Sequence, residues 1–161
     1  MGFSVGVLTI SDKGSQGERE DLSGPAVQQW VEKAGGNVTR SEILPDEAPI
    51  ISAKLIEWAD SNTIDVIITT GGTGLTPRDV TPEATKQVLD REIPGIAEGI
   101  RIASLQKTPL AMLSRAVAGH RGRTLIVNLP GSPKAVAECM EVLLPVLSHV
   151  IAALAGPLEH G

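Results

Sequence analysis

Aromatic side chains are almost absent from this chain of 161 residues, which contains one Phe, two Trp and no Tyr. Apolar residues still make up 42% of the chain, so Val, Ile, Leu and Ala must supply most of the core volume. Aliphatic, β-branched runs of this kind are typical of strands that helices cover on both faces. The length fits one ordinary domain, and we expect a single domain over residues 1–161.

Cysteine is also scarce, and Cys139 is the lone example. One cysteine cannot form an internal disulfide, and it excludes a metal cluster held by several cysteines. Residues 1–10 lack the charged start and the long apolar stretch of a signal peptide. We also expect no run that approaches the ~20 apolar residues needed to cross a bilayer. These absences predict a soluble, cytoplasmic protein with no membrane partner.

Positive charge is in deficit, because 14 Lys and Arg residues face 19 Asp and Glu residues. The formal net charge is −5 and the isoelectric point is about 5.2. Such a chain has no overall basic field to attract a nucleic-acid backbone, so we expect no nucleic-acid partner. An anionic substrate would need locally placed donors instead.

Short apolar runs alternate with helical periodicity along the whole chain. This alternation predicts an α/β fold, a three-layer sandwich with a mostly parallel central sheet and helices on both faces. The predicted strands cover residues 3–10, 38–44, 64–68 and 124–129. The predicted helices cover residues 24–34, 49–60, 81–92 with Thr81 as N-cap, 94–105 and 134–154. Residues 110–122 are interpreted as a short strand followed by a turn.

Four polar or glycine-containing loops should meet at one edge of this sheet. In open α/β sheets, ligands bind outside the carboxyl ends of the strands. Residues 11–17, 71–79 and 130–133 each leave a predicted strand at that edge, and residues 45–47 follow another. We therefore expect all four loops to face one crevice.

The sharpest local feature is the run Gly71-Gly72-Thr73-Gly74. Glycines adopt positive φ easily and let backbone N–H groups approach an anion closely, while Thr73 adds a hydroxyl donor. The same run also fits an ordinary tight turn. It is neither a Walker A motif nor a dinucleotide-binding fingerprint, because the residues that complete those motifs are missing.

Charged residues flank these loops, and each has two interpretations. Arg78 could contact a phosphate and Asp79 could hold Mg²⁺, since carboxylates are the usual protein ligands of that ion. Alternatively, Asp79 helps to cap the following helix and Arg78 is solvated. Asp46 and Asp12 could each stabilise a turn. Each carboxylate taken singly favours a structural role, whereas three at one crevice edge favour a site.

A second group of basic side chains lies near residue 120. Arg115, His120, Arg121 and Arg123 are close together in the sequence, and a solvated loop is the favoured interpretation for His120. Cys139 lies on an apolar helix and is expected to be buried rather than reactive.

Residues 69–85, TTGGTGLTPRDVTPEAT, resemble a signature of the MogA/MoaB family of molybdenum-cofactor proteins. Residues 111–140 resemble the second family signature, in particular that of the gephyrin-type G domain and the plant molybdenum insertase. The segments VLTISD at 7–12, DLSGP at 21–25 and LPDE at 44–47 extend the resemblance along nearly the whole chain. It implies the molybdopterin-binding-domain fold, usually in a homotrimer.

The resemblance also implies a reaction, in which molybdopterin and MgATP give adenylyl-molybdopterin and pyrophosphate. By matching position, Asp46 and Asp79 are the implied catalytic residues and hold Mg²⁺. The implied partners are molybdopterin, ATP and a molybdenum insertase that receives the product. The other implied substrate-binding residues are Ser11 and Asp12 beside the nucleotide, Gly72, Thr73 and Gly74 around phosphate, Ser104, Ser114 and Asn128 on molybdopterin, and the turn Pro130, Gly131 and Ser132.

Two alternatives remain open at this point. A MoaB-type paralogue would bind pterin or nucleotide without adenylyl transfer. A trimeric scaffold, which is a further role of gephyrin's G domain, would act through protein partners. Asp46 and Asp79, both present, favour the enzyme over the binding paralogue.

Overall fold

The structure is a computed structural model that describes residues 2–156. Its strands are β1 (Ser4–Ile10), β2 (Asn37–Leu44), β3 (Val66–Thr70), β4 (Arg91–Glu92), β5 (Ala118–Arg121) and β6 (Thr124–Leu129). Its helices are α1 (Asp12–Ser15), α2 (Ser23–Lys33), α3 (Ala48–Asp60), α4 (Thr81–Lys86), α5 (Pro94–Leu105) and α6 (Pro133–Leu154), with a 3₁₀ helix at Pro109–Leu113.

All six strands form one sheet in the order β2-β1-β3-β6-β5-β4. The first four are parallel neighbours, whereas β5 pairs antiparallel with β6 and β4 pairs antiparallel with β5. The β5–β6 hairpin turns at Gly122, which has φ +55°. The prediction of a mostly parallel sheet is confirmed, with an antiparallel extension at one edge.

Side chains of the central strands alternate between two apolar clusters. On β1, Val5 and Val7 join the cluster under α2, α5 and α6, whereas Leu8 and Ile10 join the cluster under α3 and α4. On β3, Ile67 faces the second cluster and its neighbours face the first. Because strand side chains alternate in direction, the sheet buries both faces and forms the predicted three layers.

The helix predicted over residues 81–92 begins at Thr81, but it is shorter than predicted and its cap residue differs. The cap position is Val80, and the hydroxyl of Thr81 instead donates to the carbonyl of Gly71 at 3.0 Å. The helix ends at Lys86, and the N–H of Asp90 donates to the carbonyl of His120 at 2.8 Å. Non-local strand pairing with β5 therefore overrides the local helical pattern.

Helix α6 corrects a second expectation. Its 22 residues are long and apolar enough, by length and composition, to cross a membrane. The buried side chains of α6 nevertheless lie in the cluster against the sheet, α2 and α5; they are Val136, Cys139, Met140, Leu143 and Leu147. The apolar character of α6 thus serves the packing of a helix on a sheet.

His120 is buried, with 8% of its surface exposed, so the solvated-loop interpretation is wrong for this residue. It lies on β5, where its Nε2 accepts from Arg91 Nε at 2.9 Å and its Nδ1 lies 3.0 Å from the carbonyl oxygen of Gly122. The neutral tautomer with the proton on Nδ1 satisfies both contacts.

Candidate functional site

The four loops predicted to converge do meet at one edge of the sheet. They surround a polar cavity of about 460 Å³. The predicted site residues that line it are Ser11, Asp46, Gly72, Asp79, Gly131 and Ser132. Because β1, β2, β3 and β6 are parallel, their carboxyl ends deliver these loops to the same side.

The glycine loop has a conformation that only glycine adopts without strain. Gly71 has φ +104° and Gly72 has φ +71°. A Cβ on Gly71 would collide with the carbonyl of Ile10, and one on Gly72 would collide with the hydroxyl of Thr81. The loop is anchored at both glycines, since Gly71 N–H donates to Leu129 and the carbonyl of Gly72 accepts from Thr81 N–H. The glycine loop is therefore a tight turn and at the same time part of the wall of the polar cavity.

Asp46 and Asp79 lie against this loop from two directions. The position of a Cβ on Gly72 is 3.1 Å from Asp46 Oδ1, and that on Gly74 is 2.9 Å from Asp79 Oδ2. Asp79 Oδ2 also accepts from the N–H of Thr76 at 3.0 Å and from its hydroxyl at 2.9 Å. Two carboxylates thus border one short stretch of backbone.

Asp46 is tied to Asp12 by a reciprocal pair of hydrogen bonds. The N–H of Asp12 donates to Asp46 Oδ2 at 3.0 Å, and the N–H of Asp46 donates to Asp12 Oδ1 at 2.9 Å. Asp12 lies beside the polar cavity and does not line it. This pairing fixes the loop after β2 against the start of α1.

Arg78 contacts two carboxylates while its side chain stays exposed. Its Nε donates to Asp12 Oδ2 at 2.9 Å, and its Nη2 donates to Asp12 Oδ1 at 3.0 Å and to Glu47 Oε1 at 2.9 Å. These bonds to Arg78 hold the pKa of Asp12 below its ordinary value. Arg78 is exposed, as the alternative of a solvated Arg78 expects, but it is also ion-paired with Asp12 and Glu47. Its contact with a phosphate stays a prediction.

Burial raises the pKa of Asp46 above its ordinary value, and the nearby charges of Asp12 and Asp79 raise it further. The hydrogen bond from the N–H of Asp12 and the charge of Arg78 act in the opposite direction. A cation bound between Asp46 and Asp79 would relieve the repulsion between their carboxylates, so these two side chains have the chemistry of a cation site. Among residues 2–156, no three His, Cys, Asp or Glu side chains form a metal-binding group.

The two predicted serines beside the polar cavity cap helices. Ser11 Oγ accepts from the N–H of Gly14 at 3.0 Å at the start of α1. Ser132 Oγ accepts from the N–H of Ala135 at 3.2 Å at the start of α6. Their hydroxyls therefore orient the first turns of these helices at the cavity wall.

A second cavity of about 270 Å³ lies between α5, the 3₁₀ helix, β6 and α6, and its wall is mostly apolar. The predicted residues that line it are Thr73, Gly74, Ser104, Ser114, Asn128 and Pro130. The glycine loop therefore separates the cavities, with Gly72 facing the polar one and Thr73 and Gly74 facing the apolar one. The predicted phosphate cradle is thus divided between two spaces.

Both polar atoms of the Asn128 side chain are hydrogen-bonded. Its Nδ2 donates to the hydroxyls of Thr69 at 2.9 Å and Thr85 at 3.0 Å, and its Oδ1 accepts from the N–H of Val117 at 3.2 Å. On the same wall, burial raises the pKa of the Cys139 thiol to about 11. Both side chains are therefore uncharged parts of the cavity wall at neutral pH.

Residue-by-residue reasoning missed two residues that shape the site. Asp21 lines the polar cavity, where its carboxylate accepts from the hydroxyl of Thr9 at 2.9 Å and the N–H of Gly24 at 3.0 Å. The spacing of Asp21 before Gly24 and the helical Pro25 was an available capping signal. Arg115 lies behind the glycine loop, and its contacts with backbone carbonyls leave no signal in the sequence.

Comparison with known proteins agrees with this geometry. The family described as "Probable molybdopterin binding domain" matches residues 6–149. The chain is 43% identical over 154 residues to molybdopterin adenylyltransferase of Helicobacter pylori J99, which covers 94% of this chain and 88% of that protein. It is 46% identical over 150 residues to the Drosophila melanogaster molybdenum cofactor synthesis protein cinnamon, covering 92% of this chain but spanning only 25% of that protein.

The fold is also similar to that of a solved structure. The molybdopterin biosynthesis enzyme MoaB from Thermus thermophilus superposes with a TM-score of 0.90 at 53% identity, covering 96% of this chain and 98% of that one. Sequence and fold are therefore similar over the same residues that form the two cavities. The chain belongs to the family of molybdopterin-binding domains.

Proposed function

We propose that this protein is a molybdopterin adenylyltransferase, which transfers AMP from MgATP to molybdopterin and releases pyrophosphate. The observation that carries this proposal is the pair of unlike cavities on the two sides of the glycine loop, with Asp46 and Asp79 beside it. Relatives from several bacteria that are 42–44% identical and carry the name molybdopterin adenylyltransferase support it.

The polar cavity is the proposed site of the triphosphate. Gly71 and Gly72 let the backbone approach phosphate oxygens closely, because no side chain intervenes. Asp46 and Asp79 fit Mg²⁺, which takes one or two protein carboxylates and completes its shell with water and phosphate oxygens. When bound there, Mg²⁺ would neutralise charge on the phosphate oxygens and on departing pyrophosphate.

The apolar cavity is the proposed site of the pterin. Its wall offers apolar side chains such as Ile100 and Leu113 to a ring system, and the hydroxyls of Ser104 and Ser114 as polar contacts. The terminal phosphate of molybdopterin would then point past Thr73 and Gly74 toward the polar cavity.

The proposed reaction requires no nucleophile from the protein. An oxygen of the molybdopterin phosphate forms a bond to the α-phosphorus of ATP, and the bond from that phosphorus to the bridging β-phosphate oxygen breaks. The electron pair leaves with pyrophosphate. The residues of the chain hold the two phosphates in line, which can supply much of the rate enhancement of such a transfer.

We also propose the setting in which this reaction occurs. One domain over residues 1–161 would act in the cytoplasm as a homotrimer and pass its product to a molybdenum insertase. The exposed apolar side chains of Ile102 and Met112 support a subunit contact. Analytical ultracentrifugation tests the trimer directly.

Purified protein mixed with ATP, Mg²⁺ and molybdopterin provides the test. We expect pyrophosphate and adenylyl-molybdopterin in equal amounts, and no pyrophosphate without molybdopterin. Binding of both substrates without pyrophosphate would instead favour the MoaB-type binding paralogue. A stoichiometric protein partner together with no turnover would favour the scaffold.

Asp79→Asn sharpens this test. The amide keeps an oxygen that can accept from Thr76, so the turn is preserved, but the charge that would hold Mg²⁺ is lost. We expect pyrophosphate release to fall by roughly 100-fold or more, with unchanged thermal unfolding. The matched control is Glu32→Gln, which removes one negative charge from an exposed position near the C-terminal end of α2.

A further inference from the structure

Arg115 makes four contacts with one stretch of chain that lies 32 to 42 residues earlier. Its Nε donates to the carbonyl of Gly74 at 2.8 Å, and its Nη2 donates to the carbonyl of Asp79 at 2.8 Å. Its backbone N–H donates to the carbonyl of Thr73 at 2.9 Å, and its Nη1 pairs with Glu83. One side chain thus connects the segment after the 3₁₀ helix with the loop that carries Asp79.

The two carbonyls that accept from the Arg115 side chain are those of Gly74 and Asp79, the first and last residues of a compact turn over residues 74–79. Within this turn, the N–H of Asp79 donates to the carbonyl of Thr76 at 3.0 Å, and the Asp79 carboxylate accepts from Thr76. The orientation of the carboxylate therefore follows the orientation of the whole turn. Arg115 binds that turn at Gly74 and at Asp79, so it limits rotation of the turn about either end.

Arg115 is itself held in place from its other side. Arg101 Nη1 donates to the carbonyls of Ser114 at 3.1 Å and Ala116 at 2.9 Å, which flank Arg115 in the chain. Ser114 and Ala116 line the apolar cavity. The backbone that presents Arg115 is therefore part of the wall proposed to contact the pterin.

We propose that Arg115 is a positioning residue, which fixes the turn from Gly74 to Asp79 so that the Asp79 carboxylate faces the polar cavity. This inference rests on the proposed adenylyl transfer. The planar guanidinium presents several donors in a fixed fork, and two of them reach two carbonyls at once. A lysine ammonium at the same position keeps the charge but cannot reproduce the fork.

The ion pair with Glu83 is a separable contact. Its side chains are 36% and 56% exposed, so solvent screens their attraction. Glu83→Gln removes this ion pair while both carbonyl contacts remain. It is therefore the matched control for substitutions of Arg115.

The test compares wild type, Arg115→Lys, Arg115→Gln and Glu83→Gln in the full chain. For both Arg115 variants we expect kcat to fall by roughly 100-fold, because a displacement of about 1 Å in a positioned group can cost that much. The KM for molybdopterin should change by less than about threefold, and Glu83→Gln should keep kcat within about threefold. Wild-type kcat in Arg115→Lys, or an equal loss in Glu83→Gln, would overturn the proposal.

Amide hydrogen exchange supplies a second readout that needs no turnover. Without substrates, amides of residues 75, 76, 78 and 79 should exchange at least about tenfold faster in Arg115→Lys than in wild type, while amides of β1 and β3 stay equally protected. Equal exchange at residues 75, 76, 78 and 79 would overturn the positioning role, and the protection of β1 and β3 shows that the variant is folded. If wild type releases no pyrophosphate but the exchange difference is present, the adenylyl transfer fails and the role of Arg115 in holding the turn stands.

Discussion

Asn128→Ala should destabilise the fold strongly, because this side chain links three parts of the chain in the interior. It is 2% exposed and bonds to the two threonine hydroxyls of Thr69 and Thr85 and to the N–H of Val117. Wild type has no unbonded buried side-chain N or O atom among residues 2–156. Removing the amide leaves the N–H of Val117 and the hydroxyls of Thr69 and Thr85 without their hydrogen-bond partner.

The magnitude can be worked from these contacts. An unpaired Val117 N–H costs about 1–3 kcal/mol, and each lost bond to a threonine costs about 1 kcal/mol. We expect the free energy of unfolding to fall by roughly 3–5 kcal/mol. At about 2–4 °C per kcal/mol for a chain of this size, Tm should fall by roughly 6–20 °C.

Urea unfolding followed by circular dichroism measures this loss. The control is Ser104→Ala, which removes a half-buried hydroxyl from the wall of the same cavity and should cost less than about 1 kcal/mol. A loss below about 1 kcal/mol for Asn128→Ala would refute the reasoning. It would mean that water or local relaxation satisfies the partners, and that Asn128 is available to contact a ligand.

Three further predictions concern residues in and beside the polar cavity. Gly72→Ala should lower the free energy of unfolding by more than Gly122→Ala does, as measured by thermal unfolding. Both glycines have positive φ, but of the two only Gly72 lacks space for a Cβ, so equal losses would contradict this reasoning. Asp46→Asn should raise the free energy of unfolding of the metal-free protein at pH 7, because the raised pKa of Asp46 means that the fold disfavours its ionised form. This gain should vanish as pH falls below the ordinary pKa of 3.8, and a gain that persists at low pH would contradict the reasoning. Arg78→Ala should raise the pKa of Asp12 toward its ordinary value in a carboxyl NMR titration, and an unchanged titration would show that another group holds it low.

Much of the fold could be predicted because its main signals are local. The buried apolar run of β3 and the glycines after it indicate a strand and its loop without knowledge of the rest of the chain. Parallel strands must end on the same side, so the convergence of four loops follows from the alternation of elements. These are the parts of the site that sequence reasoning located.

The remaining parts depend on contacts between distant residues. Strand β4 has only two residues, too few for a periodic pattern, and it exists because Arg91 and Glu92 pair with β5. His120 is buried by that same pairing. The sequence places Arg115 in a basic group with no visible partner, because its partners are mainly backbone carbonyls, which every sequence supplies and no sequence motif marks.

The division of the glycine loop between two cavities has a geometric consequence. Under the proposed function, the two substrates contact consecutive residues of one loop, ATP at Gly72 and molybdopterin at Thr73 and Gly74. The gap between the attacking oxygen and the α-phosphorus is then set by the thickness of a single polypeptide strand rather than by the closing of two domains. Inserting one residue there would leave each substrate its own pocket and move the reacting atoms out of reach of each other.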